Sequence, residues 1–86
     1  IAALAAGGVY LGLKKVLARA LATHTTRGAA AMVQSTERPP SELRDQVTSP
    51  GGTTLAGLEA LRRGGLESAL RQAVAAATKR SKELGQ

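Results

Sequence analysis

The apolar side chains of this chain recur at intervals of three and four residues, which is the spacing of one face of an α-helix. The pattern is clearest from Lys14 to about Ser35 and again from Leu66 onward. No stretch of useful length alternates between apolar and polar residues, and the β-branched residues are scattered, so no strand is expected. The sequence therefore predicts an all-α fold.

Proline and glycine divide the chain into five expected helices. The first ends near Gly12, and the second carries an apolar stripe of small and medium side chains. Pro39-Pro40 opens a short third helix, since proline is tolerated in a first turn but not in a helix interior. The fourth begins near Thr53 or Thr54 and stops at Gly64-Gly65. The stripe of the second helix consists of Leu17, Leu21, His24, Gly28 and Met32.

Large core-filling side chains are scarce in this sequence. Tyr10 is the only aromatic residue and Met32 the only methionine among 86 residues, and most of the apolar content is alanine and leucine. A chain of this size buries a small share of its surface, so residues 1–86 are expected to form one small domain. Ala-rich helices can approach one another closely, and we therefore expect the domain to bury its apolar faces against a second copy of itself.

Charge and composition argue against several classes of function. The net charge is +6, but the basic residues are spread along the chain, and several stand where they would favour a helix C-terminus, so a nucleic-acid surface is not expected. The chain has no cysteine, which excludes disulfides and thiolate metal sites and fits a cytoplasmic location. A lone histidine, His24, does not predict a metal site.

The apolar run at the start of the chain does not predict a membrane span. Residues 1–13 are too few to cross a bilayer and include three glycines. The run has no starting methionine and no charged leader, so it does not resemble a signal peptide. We expect Ile1 to lie partway along a longer helix.

The segment from Ser49 to Thr54, Ser-Pro-Gly-Gly-Thr-Thr, is the most informative for chemistry. Glycines let a ligand approach the backbone, and the unpaired N–H groups at the start of the next helix can donate to a carboxylate or phosphate. The hydroxyls of Ser49, Thr53 and Thr54 would add neutral donors. By the residues alone, a turn followed by a helix cap is the more usual explanation of such a sequence.

A longer pattern extends on both sides of this segment. It consists of Pro40, Leu43, the run Val47 to Thr54, Gly57-Leu58, Leu61, Gly64-Gly65-Leu66, Ala73-Val74, Ala76-Ala77 and the run Arg80 to Leu84. This pattern resembles the signature of pyrroline-5-carboxylate reductases, and the similarity covers at least residues 28–84 and is looser before them.

The resemblance implies a helical C-terminal domain that intertwines with a second copy to form a dimer, and five such dimers can form a decamer. It implies an enzyme that reduces 1-pyrroline-5-carboxylate to L-proline in proline biosynthesis, with NADPH or NADH bound by an N-terminal Rossmann domain. No strand followed by G-x-G-x-x-G occurs in this chain, so that domain is absent and the chain alone is expected to be inactive.

The resemblance also implies a role for each residue of the loop. Backbone N–H groups of Gly52, Thr53 and Thr54 would hold the substrate carboxylate, and Ser49 and Gly51 would line the same site. Thr54 would be the catalytic residue, since its hydroxyl would orient the imine nitrogen and help to deliver a proton.

Two alternative functions remain open from the sequence. One is a purely structural helical dimerisation module, in which the loop is only a turn and cap. The other is a basic nucleic-acid-binding bundle, which would bind duplex DNA with a strong dependence on salt. Four positions that bear on the packing between subunits depart from the family pattern: His24, Arg27, Ala31 and Arg62.

Overall fold

The computed structural model describes residues 1–85, and these residues form five α-helices with no strand. The predicted all-α fold is confirmed. The helices are α1 (Ala2–Tyr10), α2 (Lys15–Thr36), α3 (Pro40–Gln46), α4 (Thr53–Arg63) and α5 (Leu66–Leu84).

The chain divides into two compact units. The first is Ile1–Arg44, and the second begins at Asp45. That residues 1–86 form a single domain stays a prediction.

In the first unit, α1 packs against α2 through small residues. A Cβ atom added at Gly8 would lie 3.2 Å from Leu13 Cδ1 and 3.3 Å from Ala18 Cβ. Ala18 is only 2% exposed, and Ala22, one turn further along α2, is 4% exposed. The two helices can therefore approach closely because glycine and alanine occupy the contact.

Alanine substitutions at the adjacent glycines Gly7 and Gly8 test the contact between α1 and α2. Gly7→Ala should raise the free energy of unfolding by about 0.5 to 1 kcal/mol, since alanine is the better helix former and nothing lies within 4 Å of the added Cβ. The free energy of unfolding of the Gly8→Ala variant should be at least about 1 kcal/mol lower than that of the Gly7→Ala variant, because the new methyl group crowds Ala18. Urea unfolding at one fixed protein concentration measures both. Equal effects would show that α1 and α2 do not touch at Gly8.

Glycine and proline end the helices largely where the sequence predicts. Gly12, with φ +108°, follows α1, and Gly65, with φ +78°, separates α4 from α5. The end of α2 is different, because its C-cap is Glu37 in the left-handed conformation, with φ 55°. A non-glycine residue rarely adopts this conformation, and no feature of the sequence predicted it.

The core of the described chain is small. Three apolar residues are buried: Ala18, Ala22 and Leu43. Most of the large apolar side chains stay in contact with solvent in the single chain. Examples along the stripe of α2 are Leu17 and Leu21, each 48% exposed, and Met32, 45% exposed. Exposed apolar area of this extent is unusual for a monomer.

The charged side chains of the described helices lie on exposed surfaces. Arg71 pairs with Glu67 at 3.4 Å and Arg80 with Glu83 at 3.1 Å, and each pair lies within one helix. Exposed pairs of this kind contribute at most about 1 kcal/mol each. They therefore contribute little to the stability of the fold.

Two kinds of feature are absent from residues 1–85. No helix among them is both long and apolar enough to cross a membrane. No group of three or more His, Cys, Asp or Glu side chains lies where it could hold a metal ion. His24 is exposed on α2.

Candidate functional site

A tight turn connects α3 to α4 and gives the candidate site its shape. The Gly52 N–H donates to the Ser49 carbonyl oxygen at 3.0 Å, which closes the four residues Ser49-Pro50-Gly51-Gly52. Proline suits the second position of such a turn, and Gly51 takes φ +72° at the third, where a side chain would be strained. The sequence therefore specifies this turn locally.

Helix α4 begins immediately after the turn, with Gly52 as its N-cap. The Gly52 carbonyl oxygen accepts the Ala56 N–H at 3.2 Å, and no side chain caps the helix. A threonine cap, which would explain the sequence without a ligand, is therefore not observed. Thr53 and Thr54 are instead the first two residues of the helix.

Three backbone N–H groups at the start of α4 have no acceptor among residues 1–85. They belong to Thr53, Thr54 and Leu55, which precede the first residue whose N–H is bonded within the helix. Thr54 and Leu55 are half-buried, whereas Thr53 is exposed. Unpaired N–H groups at a helix start carry partial positive charge and favour a bound anion.

Three hydroxyl groups surround the same helix start without a hydrogen-bond partner in the described part of the chain. They belong to Ser49, Thr53 and Thr54. Three of the four threonines of α2 behave differently, since Thr23, Thr26 and Thr36 donate to carbonyl oxygens of their own helix at 2.6 to 2.8 Å. The hydroxyls of the loop are thus available to a ligand.

The loop provides donors and no negative charge of its own. The first turn of α4 contains no acidic residue, so no carboxylate of the helix competes for its N–H groups. The basic residues of α4, Arg62 and Arg63, stand in its last turn, at the opposite end. A ligand here would be held by backbone and hydroxyl donors rather than by a salt bridge.

The five predicted binding residues, Ser49, Gly51, Gly52, Thr53 and Thr54, therefore lie together at one turn and helix start. Two details differ from the expectation. The Gly52 N–H is already bonded to Ser49, so it is not an unpaired donor, and the N–H of Leu55 is an additional one. Counting the first three N–H groups of the helix from its N-cap would have found Leu55, but the sequence left the first residue of α4 undecided.

Comparison with known proteins identifies the family. Residues 1–84 match the family described as "Pyrroline-5-carboxylate reductase dimerisation". The chain belongs to this pyrroline-5-carboxylate reductase dimerisation family.

Similar reductases occur in plants and cyanobacteria. The chain is 54% identical over 86 residues to a pyrroline-5-carboxylate reductase of Arabidopsis thaliana, which covers all of this chain and 31% of that protein. It is 49% identical over 85 residues to the reductase of Synechocystis, with 99% of this chain and 32% of that protein covered. The chain thus spans about a third of the length of these pyrroline-5-carboxylate reductases.

A solved structure shares the helical arrangement. The pyrroline carboxylate reductase of Plasmodium falciparum, described with NADP bound, matches with a TM-score of 0.90 and 34% identity. The match covers 98% of this chain and 32% of that protein. The fold predicted from the resemblance to pyrroline-5-carboxylate reductases is therefore confirmed.

Proposed function

We propose that this chain is the substrate-binding, dimer-forming C-terminal third of a pyrroline-5-carboxylate reductase. The complete enzyme would reduce 1-pyrroline-5-carboxylate to L-proline with NADPH or NADH, in proline biosynthesis in the cytoplasm. Membership of the dimerisation family and the share of the related reductases that the chain covers support this assignment.

The coenzyme would be held by the part of the protein outside this chain. The sequence contains no G-x-G-x-x-G segment after a strand, and the described residues form helices only, so they do not fit a dinucleotide site of the usual kind. The NADP described in the Plasmodium falciparum enzyme supports NADPH as the coenzyme of the complete protein. This chain alone should be inactive.

The start of α4 is the proposed carboxylate site, and its unpaired donors are the observation that carries the proposal. The N–H groups of Thr53, Thr54 and Leu55 point along the first turn of a helix, where an anion is favoured. The Ser49 hydroxyl would donate from the turn. Hydrogen bonds to a charged group are typically stronger than those between neutral groups, so a carboxylate fits these donors well.

Thr54 is the proposed catalytic residue. In the reaction, hydride adds to the imine carbon and the imine nitrogen ends with a proton. The Thr54 hydroxyl, which has no partner among residues 1–85, would hold the nitrogen in place and pass a proton to it from water. The same residue would contribute its N–H to the carboxylate, so the ring would be held at two points.

A second copy of the chain is the proposed partner. The apolar stripe of α2 stays half exposed in the single chain, and the family is described by its dimerisation. Five such dimers would associate into a decamer. Neither a nucleic acid nor a membrane is proposed as a partner. The two copies would intertwine through their helices.

The carboxylate assignment can be tested on the complete enzyme with two substrates. Removing the carboxylate from the cyclic imine, as in 1-pyrroline, should lower kcat/KM by about a hundredfold or more, because at least two charge-assisted hydrogen bonds of about 1.5 kcal/mol each are lost. Oxidation of NADPH measures both rates. Equal kcat/KM values would contradict the carboxylate site, and no reduction of either imine would contradict the enzymatic function and favour a structural module.

A further inference from the structure

Glycine at position 52 is not required by the backbone. Gly52 has φ −83° and ψ 173°, an extended conformation that any residue adopts. Its neighbour Gly51 has φ +72°, where glycine is strongly favoured. Backbone conformation therefore explains the glycine at position 51 but not the glycine at position 52. The atoms around Gly52 must explain the second.

Apart from its chain neighbours, the three atoms nearest to the missing side chain of Gly52 all belong to Ser49. A Cβ atom built on Gly52 would lie 2.5 Å from Ser49 Oγ, 3.2 Å from the Ser49 carbonyl oxygen and 3.8 Å from Ser49 Cβ. The first distance is too short for two unbonded atoms, whereas the third is an ordinary contact. Only the Ser49 hydroxyl would be forced to move far by a methyl group at position 52.

The Ser49 hydroxyl occupies the place that a side chain at position 52 would take. It has no hydrogen-bond partner among residues 1–85. A serine hydroxyl moves by rotation about one bond, at low energetic cost. With alanine at position 52, the turn could therefore still form while the hydroxyl rotated away from the start of the helix.

We infer that Gly52 is a positioning residue: the absence of its side chain keeps the Ser49 hydroxyl beside the unpaired N–H groups of α4, where it completes the carboxylate site. The inference rests on the proposed function and adds a role to it, since Gly52 acts through Ser49 rather than through its own N–H, which the turn already uses. The glycine thereby sets the affinity for the carboxylate of the substrate.

A double-substitution experiment on the complete enzyme tests this coupling. Ser49→Ala removes the only atom closer than 3 Å to the added Cβ and keeps the Ser49 Cβ. Ser49→Ala and Gly52→Ala should each raise the KM for 1-pyrroline-5-carboxylate about tenfold, as expected for one lost hydrogen bond to a charged group. The double variant should match Ser49→Ala within about twofold, because the hydroxyl that Gly52 positions is already gone.

Comparing the effects of each substitution on KM and on kcat distinguishes a positioning role of Gly52 from a general disturbance of the fold. Each of these variants should keep kcat within about threefold of the original enzyme, since the carboxylate is bound alike in substrate and transition state. Gly51→Ala is the matched control for the turn. It strains the backbone without approaching any atom within 4 Å, so its effect on KM should be the same whether residue 49 is serine or alanine.

Three outcomes would overturn the inference. The first is an unchanged KM for Gly52→Ala. The second is that Gly52→Ala raises KM by the same factor whether residue 49 is serine or alanine. The third is that Gly52→Ala lowers kcat by a larger factor than it raises KM. An original enzyme that does not reduce 1-pyrroline-5-carboxylate would overturn the proposed function together with this inference. A working reductase in which the two substitutions act independently would overturn the inference alone.

Discussion

Replacing Thr54 with alanine in the complete enzyme should lower kcat by about a hundredfold, the lower end of the range for a group that assists proton transfer. The hydroxyl has no partner among residues 1–85, so its loss breaks no internal hydrogen bond. The free energy of unfolding should therefore change by less than about 1 kcal/mol. Steady-state kinetics and urea unfolding of the same preparation measure the two effects.

Thr54→Ser is the control for this prediction because it keeps the hydroxyl and the N–H group. It should retain kcat within about fivefold of the original enzyme, since the donor that assists proton transfer is still present. If Thr54→Ala were as active as the original enzyme, Thr54 would not be the catalytic residue. If serine failed as severely as alanine, the methyl group rather than the hydroxyl would matter.

Replacing Gly28 with leucine should dissociate the proposed dimer of the complete protein. Gly28 lies on the exposed stripe of α2, and nothing in its own chain is within 4 Å of the position of a Cβ. A glycine inside a helix lowers its stability by about 0.5 to 1 kcal/mol relative to alanine, so a gap here suggests close approach of another chain. A leucine side chain would fill that gap.

The expected increase in the dissociation constant follows from the two-fold symmetry of a dimer. Overpacking a close contact costs about 1 to 3 kcal/mol, and a substitution on a two-fold interface acts in both copies, so Kd should rise about a hundredfold or more. Sedimentation velocity across a dilution series measures it. Ala30→Leu is the control, since this exposed residue is two positions further along α2 and faces another direction. Dimerisation unaffected by Gly28→Leu would place the interface elsewhere.

The sequence was sufficient for the helices because the signals that end them are local. Pro39-Pro40 and Gly64-Gly65 mark helix boundaries: α3 begins at Pro40, and α4 ends at Arg63, just before the two glycines. Glu37 shows the limit of such signals. Its left-handed conformation ends α2 without glycine or asparagine, so local preference alone did not place that boundary.

The sequence predicted which residues form the candidate site, but it did not predict the role of each one. The run from Ser49 to Thr54 identified the loop, but a one-residue difference in the start of a helix decides which N–H groups are paired. The structure starts α4 at Thr53, which leaves the Leu55 N–H unpaired and gives Gly52 the cap position. The contact between Ser49 and Gly52 depends on the closed turn in three dimensions, and spacing along the sequence cannot specify it.

The small core of alanines and one leucine has a consequence for how subunits would change partners. A single chain buries only Ala18, Ala22 and Leu43 among its described apolar residues, so little would keep its helices folded once a partner leaves. Exchange between two differently labelled dimers should then proceed no faster than the helices lose their fold.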